Sequence, residues 1–270
     1  MSTDVRAEVV HRDEEYDSRE FAMLRRMQGG HFWYRGRHRF LLHAVRRHAP
    51  RPARAVDLGG GCGGWVDYLA KSAGFPIEEL ALADSSQAAL DLAADALPAG
   101  VSRHCVDLLD LPWSGRWNSA FLLDVIEHIP DHAEALRQVH RALAPGGVLF
   151  VTVPALRQFW SWNDEFARHQ RRYHRDELAR LAGGCGFEVI DARYFMFFLS
   201  PLLLLSRAAS SRRVLDATEE ERRALAEKMH AIPPAPVNSL LAGVFGLETP
   251  FGHRVRFPWG TSLLAVLRRP

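Results

Sequence analysis

The chain has 270 residues, 47% of them hydrophobic and 24% charged, with a formal net charge of +2. That length holds one large domain, or one domain carrying an insertion. So small a net charge excludes bulk attraction to nucleic acid as the organising feature, and no nucleic-acid partner is expected. Cys62, Cys105 and Cys185 lie far apart without a CxxC pair, which excludes a disulfide framework and a cysteine zinc site and implies a reducing compartment. The opening stretch, "MSTDVRAEVVHRDEEYDSRE", is charged and has no apolar core, so a cytoplasmic protein without a secretory signal is expected. No apolar run approaches 18 residues, so no stable membrane insertion is expected.

Residues 1–50 precede the first strand signal and read as a helical lid, with "HFWYRGRHRFLLHAVRRH" its strongest helix. From Ala53 two textures alternate. Apolar β-rich runs occur at Ala53–Leu58, Leu80–Asp84, Val101–Val106, Ser119–Val125, Val148–Pro154 and Phe187–Tyr194, with a last one at Ser262–Arg268. Helical spacing fills Trp65–Ala73, Ser86–Ala96, Asp131–Leu143 and Arg175–Cys185. Near-continuous apolar strands alternating with helices imply a doubly wound α/β sheet buried on both faces. Residues 51–195 with 261–270 would form this core. Residues 196–260 would be a helical cap, containing a charged helix at Asp216–Met229 and a Pro-rich break, "IPPAP". Lid and cap are both placed to cover the carboxyl ends of the strands, where open α/β sheets bind ligands.

The turn after the first strand, "AVDLGGGCGGW", carries five glycines in eleven residues directly behind an aspartate. Glycine there supplies positive φ and lets a ligand approach the backbone. The pattern D-x-G-x-G-x-G runs through Asp57, Gly59, Gly61 and Gly63, and no GK[ST] follows to cradle phosphates. The same glycines also fit a dinucleotide fingerprint through Gly59, Gly61 and Gly64. Asp84, ending the second strand in "LALADSS", suits a ribose with two free hydroxyls.

At these residues the sequence resembles the class I S-adenosylmethionine-dependent methyltransferases. "VDLGGGCGG" matches the first motif, Asp84 the ribose-binding acid, "CVDLLDLPW" the segment after the third strand, "FLLDVIEHIPD" the fourth-strand motif and "RALAPGGVLFVTVP" the fifth. The resemblance covers roughly residues 50–195. It implies a seven-stranded Rossmann-like sheet with its last strand antiparallel, and S-adenosylmethionine as methyl donor. The implied cofactor contacts are Asp57, Gly59, Gly61, Gly63, Asp84 with Ser85, Asp107 with Leu108 beside the adenine, and Asp124 with Val125. The turn's amides would take the carboxylate of the methionine tail, and Asp57 or Asp124 would face its cations.

"DVIEHI" puts His128 just past the fourth strand, where it would lie near the transferable methyl as a base or pack beneath the cofactor. Glu127 beside His128 is too little for a metal site, and no metal is expected. "NDEFARHQRRYHRDEL" resembles the D…HxRRY…L signature of a subgroup common in polysaccharide and natural-product gene clusters. His169 is the second candidate base, while Arg172 and Tyr173 are candidate substrate contacts, since guanidinium forks suit carboxylate or phosphate. Trp33, Tyr34 and Arg37 are expected in the lid over the site. "FMFFLSPLLLL", Phe195 to Leu205, reads as buried helix or apolar pocket wall ahead of membrane contact, with Phe198 facing the acceptor.

Methyl transfer to a small-molecule acceptor, a natural product or glycan precursor, is therefore expected. Two other functions fit parts of the pattern. One is a nicotinamide-dependent oxidoreductase, although the Tyr-x-x-x-Lys pattern of one such family is missing. The other is a scaffold that keeps the fold without catalysis.

Overall fold

The computed structural model describes residues 9–12, 16–17, 20–49, 53–206, 218, 221 and 231–270. Each apolar run of the sequence becomes one strand of a single sheet: β1 (Arg54–Leu58), β2 (Glu79–Asp84), β3 (Ser102–Cys105), β4 (Trp117–Leu123), β5 (Leu143–Pro154), β6 (Glu188–Phe195) and β7 (Ser262–Arg268). Their order is β3-β2-β1-β4-β5-β7-β6. β1 to β5 are mutually parallel, and β7 runs antiparallel to both β5 and β6. This is the seven-stranded Rossmann-like sheet implied by the sequence, with the late run at Ser262–Arg268 as its antiparallel strand.

Strand side chains alternate between two cores, as a two-residue period requires. Val56, Leu58, Ala120 and Leu122 face α5 (His132–Ala142) and α7 (Arg175–Gly184). Ala55, Leu82, Phe121 and Phe150 face the opposite layer, which contains α2 (Phe32–His48), α3 (Gly64–Ser72) and α4 (Gln87–Ala94). Both faces are covered, so the strands carry few polar residues. The helices start where side chains accept from their first free amides: His31 from Trp33, Ser86 from Ala89, Asp131 from Glu134 and His174 from Asp176.

Two stretches differ from expectation. β5 begins at Leu143 rather than Val148, because Leu143 pairs with Trp117 before the "APGG" turn. The last two residues of "IPPAP" open α8 (Ala235–Gly252), which packs on α2. Its sequence escapes a periodicity reading because apolar residues occur all round it. The expected helix at Asp216–Met229 lies outside the described residues, apart from Thr218 and Glu221.

Candidate active site

A cavity of about 650 Å³ lies over the carboxyl ends of β1, β2 and β4. One wall is the strand ends and their turns. The other comes from His11, Arg12, Tyr16 and residues 20–37, which include α1 (Phe21–Gly30), and from residues 199–206, Pro233 and Leu241. Lid and cap segments thus share one chamber with the glycine turn.

The glycine turn is shaped by close contact. Gly61 sits at φ +56°, and a Cβ there would come within 2.8 Å of Leu24; at Gly59, φ +68°, it would come within 2.8 Å of Val125. The turn's amides are engaged inside the chain. Gly59 and Gly60 donate to the Ala83 carbonyl, Gly61 to Asp84 Oδ2 (2.8 Å) and Gly64 to Gln28 Oε1 (3.1 Å). Gly63 donates to the Gly60 carbonyl and heads α3 at φ +76°, outside the cavity lining.

Asp84 is buried and held by the amides of Gly61 and Ser86 (2.9 Å). Burial raises its carboxyl above the usual range, and these amides oppose the shift. Ser85 Oγ is 2.8 Å from His11 Nδ1. Asp107 accepts from the Leu109 amide (2.9 Å) and from Arg12 (3.2 Å), with Leu108 beside it in the cavity wall.

Asp57 is buried, and its Oδ1 has no hydrogen-bond partner among the described residues. Burial pushes its carboxyl up to about 8; nearby Arg37 lowers it and Asp84 raises it. Asp124 follows β4 at φ +59°, a conformation that non-glycine residues adopt at a cost of about 1–3 kcal/mol. Its Oδ2 accepts from Thr152 Oγ1 (3.1 Å) and pairs with Arg37. The buried Arg37 guanidinium also reaches the Leu123 carbonyl (3.3 Å). It packs 4.7 Å from the Trp33 ring and 4.9 Å from the Tyr34 ring. The expected lid residues therefore clamp the end of β4.

Past the end of β4 the cavity holds Glu127, His128 and His169, whose ligating atoms lie within 4.8 Å of one another. Glu127 is fully buried, and neither carboxylate oxygen has a hydrogen-bond partner among the described residues. Burial, with Asp124 nearby, raises its carboxyl well above the usual range. The His128 and His169 rings meet edge-on at 4.9 Å. His169 Nδ1 is 2.9 Å from Asp164 Oδ1, and Arg172 Nε donates to the same oxygen (2.7 Å). Burial opposes ionisation of Asp164, yet the His169 hydrogen bond and the Arg172 guanidinium hold it down at about 2.

Two expected substrate contacts, Phe198 and Tyr173, are placed otherwise. Phe198 lies outside the cavity, 42% exposed, against Phe251 and Phe257. Its backbone leaves β6 through Met196 at φ +62° and is tied down by Glu248, which accepts from the Phe198 amide (2.9 Å). The side chain is thereby turned to the outer surface. Tyr173 is a core residue whose hydroxyl donates to the Ile126 carbonyl (3.2 Å). Arg172 lines the cavity, with Nε donating to Asp164 and Nη1 to the Ala155 carbonyl (2.9 Å). Sequence reasoning missed Arg12, Tyr16 and Gln28, which close the cavity from the N-terminal side; no local pattern marks partners 30 to 100 residues away.

A family model described as "Methyltransferase domain" matches residues 23–192. The chain is 33% identical over 113 residues to trans-aconitate 2-methyltransferase of Variovorax paradoxus, covering 40% of this chain and 41% of that one. It spans less than half the length of the curated relatives it matches. The fold is similar to N-methyltransferase NodS from Bradyrhizobium japonicum in complex with S-adenosylhomocysteine, with TM-score 0.56, 16% identity, and coverage of 96% of this chain and 100% of that one. It is also similar to the [4+2]-cyclase SpnF, with TM-score 0.53, 20% identity, and coverage of 85% and 80%.

Proposed function

The chain belongs to the methyltransferase domain family; we propose that it is an S-adenosylmethionine-dependent enzyme whose acceptor is a small, largely apolar molecule bearing one O–H or N–H group. The observation that carries this reading is the single cavity joining two different ends. One end, at β1, β2 and β4, gathers Asp57, Asp84 and Asp124, with the buried Arg37 guanidinium paired to Asp124 and acting on Asp57. The other presents His169, and the apolar Leu199, Leu203 and Leu241 line the same cavity.

The first end fits the cofactor. A buried, unpartnered carboxylate oxygen on Asp57 suits the ammonium of a methionine tail, and Arg37 suits its carboxylate. This replaces the expectation that the glycine amides take that carboxylate, since those amides have partners within the chain. Asp84 would hold the ribose hydroxyls, and Asp107 the adenine edge with Arg12 as its counter-charge. When bound, S-adenosylmethionine supplies a methyl group on a positively charged sulfur, which leaves as a neutral thioether.

At the second end, Asp164 accepts the Nδ1 proton of His169 and leaves Nε2 as the basic nitrogen. Nε2 would take the proton from the acceptor while Arg172 keeps Asp164 ionised. Such a base contributes about 10²–10⁴-fold. The larger share comes from holding acceptor and methyl in line, about 7–11 kcal/mol at best. Among the described residues, those before β1 act here as the lid, the sheet with its helices as the core, and those between β6 and β7 as the cap.

The test is release of S-adenosylhomocysteine from a panel of phenols, amines and carboxylic acids, run with a chelator present. Turnover of an apolar member under chelation supports the reading. Loss of turnover that magnesium restores would put a cation, rather than a proton acceptor, at Glu127, His128 and His169. Turnover confined to highly charged acceptors would refute the apolar pocket.

A further inference from the structure

The outer face of α8 is unlike the rest of the surface. Over 18 residues, about 27 Å of helix, its one charged residue is Glu248, which is fully buried. Leu240 is 67% exposed and Leu247 65%, and Val237 and Phe251 complete the same stripe. The stripe continues onto the neighbouring segment through Phe198, whose ring contacts Phe251, and through Leu202, 54% exposed on the helical residues 200–206. Scattered exposed apolar side chains are ordinary, whereas a contiguous uncharged face marks an interaction surface.

The charges beside this face are of one sign. The exposed side of α2 carries Arg39, His43, Arg46 and Arg47. Two of these lie along α8: Arg39 donates to the Ala242 carbonyl (3.3 Å) and Arg47 to the His253 carbonyl (3.2 Å). Arg254 and Arg256 follow the end of α8, both exposed, with Arg256 3.6 Å from the buried Asp191 carboxylate. Across α2, residues 196–206 and residues 231–260 the sequence holds a single acid, the buried Glu248. A second copy seated symmetrically here would set arginines against arginines. An anionic lipid surface offers the matching charge, and an apolar helix face flanked by arginines is the composition that lies in a membrane interface. No helix among the described residues is long and apolar enough to cross a bilayer, so the arrangement is one of lying on the surface.

We propose that the exposed face formed by α8 and residues 198–205 docks the protein onto an anionic membrane surface. The cavity shares a rim with this face. Leu202 belongs to both, and Leu241, which lines the cavity, directly follows the exposed Leu240. An acceptor dissolved in the bilayer would enter across that rim. The delivery of an acceptor rests on the methyl-transfer reading above, whereas the docking does not.

The full chain is sedimented with vesicles of phosphatidylcholine alone and with vesicles containing 30% phosphatidylglycerol (roughly the anionic content that sets a biological surface potential). Association with the anionic vesicles, weakened by salt, is expected. Leu240→Glu with Leu247→Glu should lower the partition at least about tenfold. Arg39→Gln with Arg47→Gln should lower it about tenfold and flatten the salt dependence. S-adenosylhomocysteine affinity should stay unchanged in both variants, which shows that they are folded. Absence of vesicle binding by the wild-type chain would overturn the proposal. So would concentration-dependent dimerisation, in sedimentation velocity, that the leucine variant abolishes, since the face would then join two copies.

Discussion

Replacing Asp57 by asparagine should stabilise the protein and weaken its hold on the cofactor. In the folded chain the buried Asp57 carboxyl titrates at about 8 instead of 3.8. Below its folded pKa the native state holds this proton while the unfolded state has lost it, so stability falls as pH rises from about 4 to about 8 and is level above. At pH 7 the accumulated cost is 7 less 3.8 units at 1.36 kcal/mol each, about 4 kcal/mol. Asparagine carries no such cost, but its amide would be a buried donor beside an already orphaned position, worth about 1–3 kcal/mol against it. The net expectation is a gain of about 1–3 kcal/mol at pH 7, shrinking toward pH 5 as the wild-type penalty fades. Urea unfolding of both proteins at pH 5, 6, 7 and 8 reads it directly. Cofactor affinity, measured by titration calorimetry at pH 8, should fall about tenfold or more, because the ammonium loses a charged partner. A stability gap that does not widen with pH, or an asparagine variant less stable at every pH, would refute the argument.

The base assignment predicts that His169→Ala loses about 10²–10⁴-fold in turnover with cofactor affinity retained. Asp164→Asn should lose less and move the acid limb of the pH–rate profile; turnover within twofold of wild type in both would remove His169 from the proton path. Leu241→Trp fills the apolar wall and should raise the acceptor KM several-fold with S-adenosylhomocysteine affinity unchanged, whereas an unaltered KM would place the acceptor elsewhere. Gly61→Val puts a β-branched residue at φ +56° and a Cβ 2.8 Å from Leu24, so cofactor titration should show no measurable binding. Near wild-type binding would mean that the turn does not meet the ligand.

All seven strands were legible in the sequence, because a sheet buried on both faces is written as near-continuous apolar runs broken by turn residues. Asp57, Asp84 and Asp124 were picked out by the motif resemblance, and the fold gathers them at the carboxyl ends of β1, β2 and β4. The placement of Phe198 was not legible, because one apolar run, Phe195 to Leu205, is divided by the backbone at Met196 between a buried side and an exposed side. α8 was hidden by the same property that makes it unusual, an apolar face turned to solvent, which erases helical periodicity. The pairing of Arg12 with Asp107 and of Arg37 with Asp124 spans 95 and 87 positions, and only the fold brings those partners together.

S-adenosylmethionine is expected in this cavity against the glycine turn, with Asp84 at its ribose. Titration calorimetry of the wild-type chain and of Asp84→Ala with S-adenosylhomocysteine, with NADH as a control, tests it most directly. One molecule of S-adenosylhomocysteine per chain is expected, at least about tenfold weaker in the variant, since a charged hydrogen bond is worth about 1.5–3 kcal/mol, and NADH should give no binding heat. Equal affinity in both proteins, or saturable binding of NADH in place of S-adenosylhomocysteine, would contradict the account.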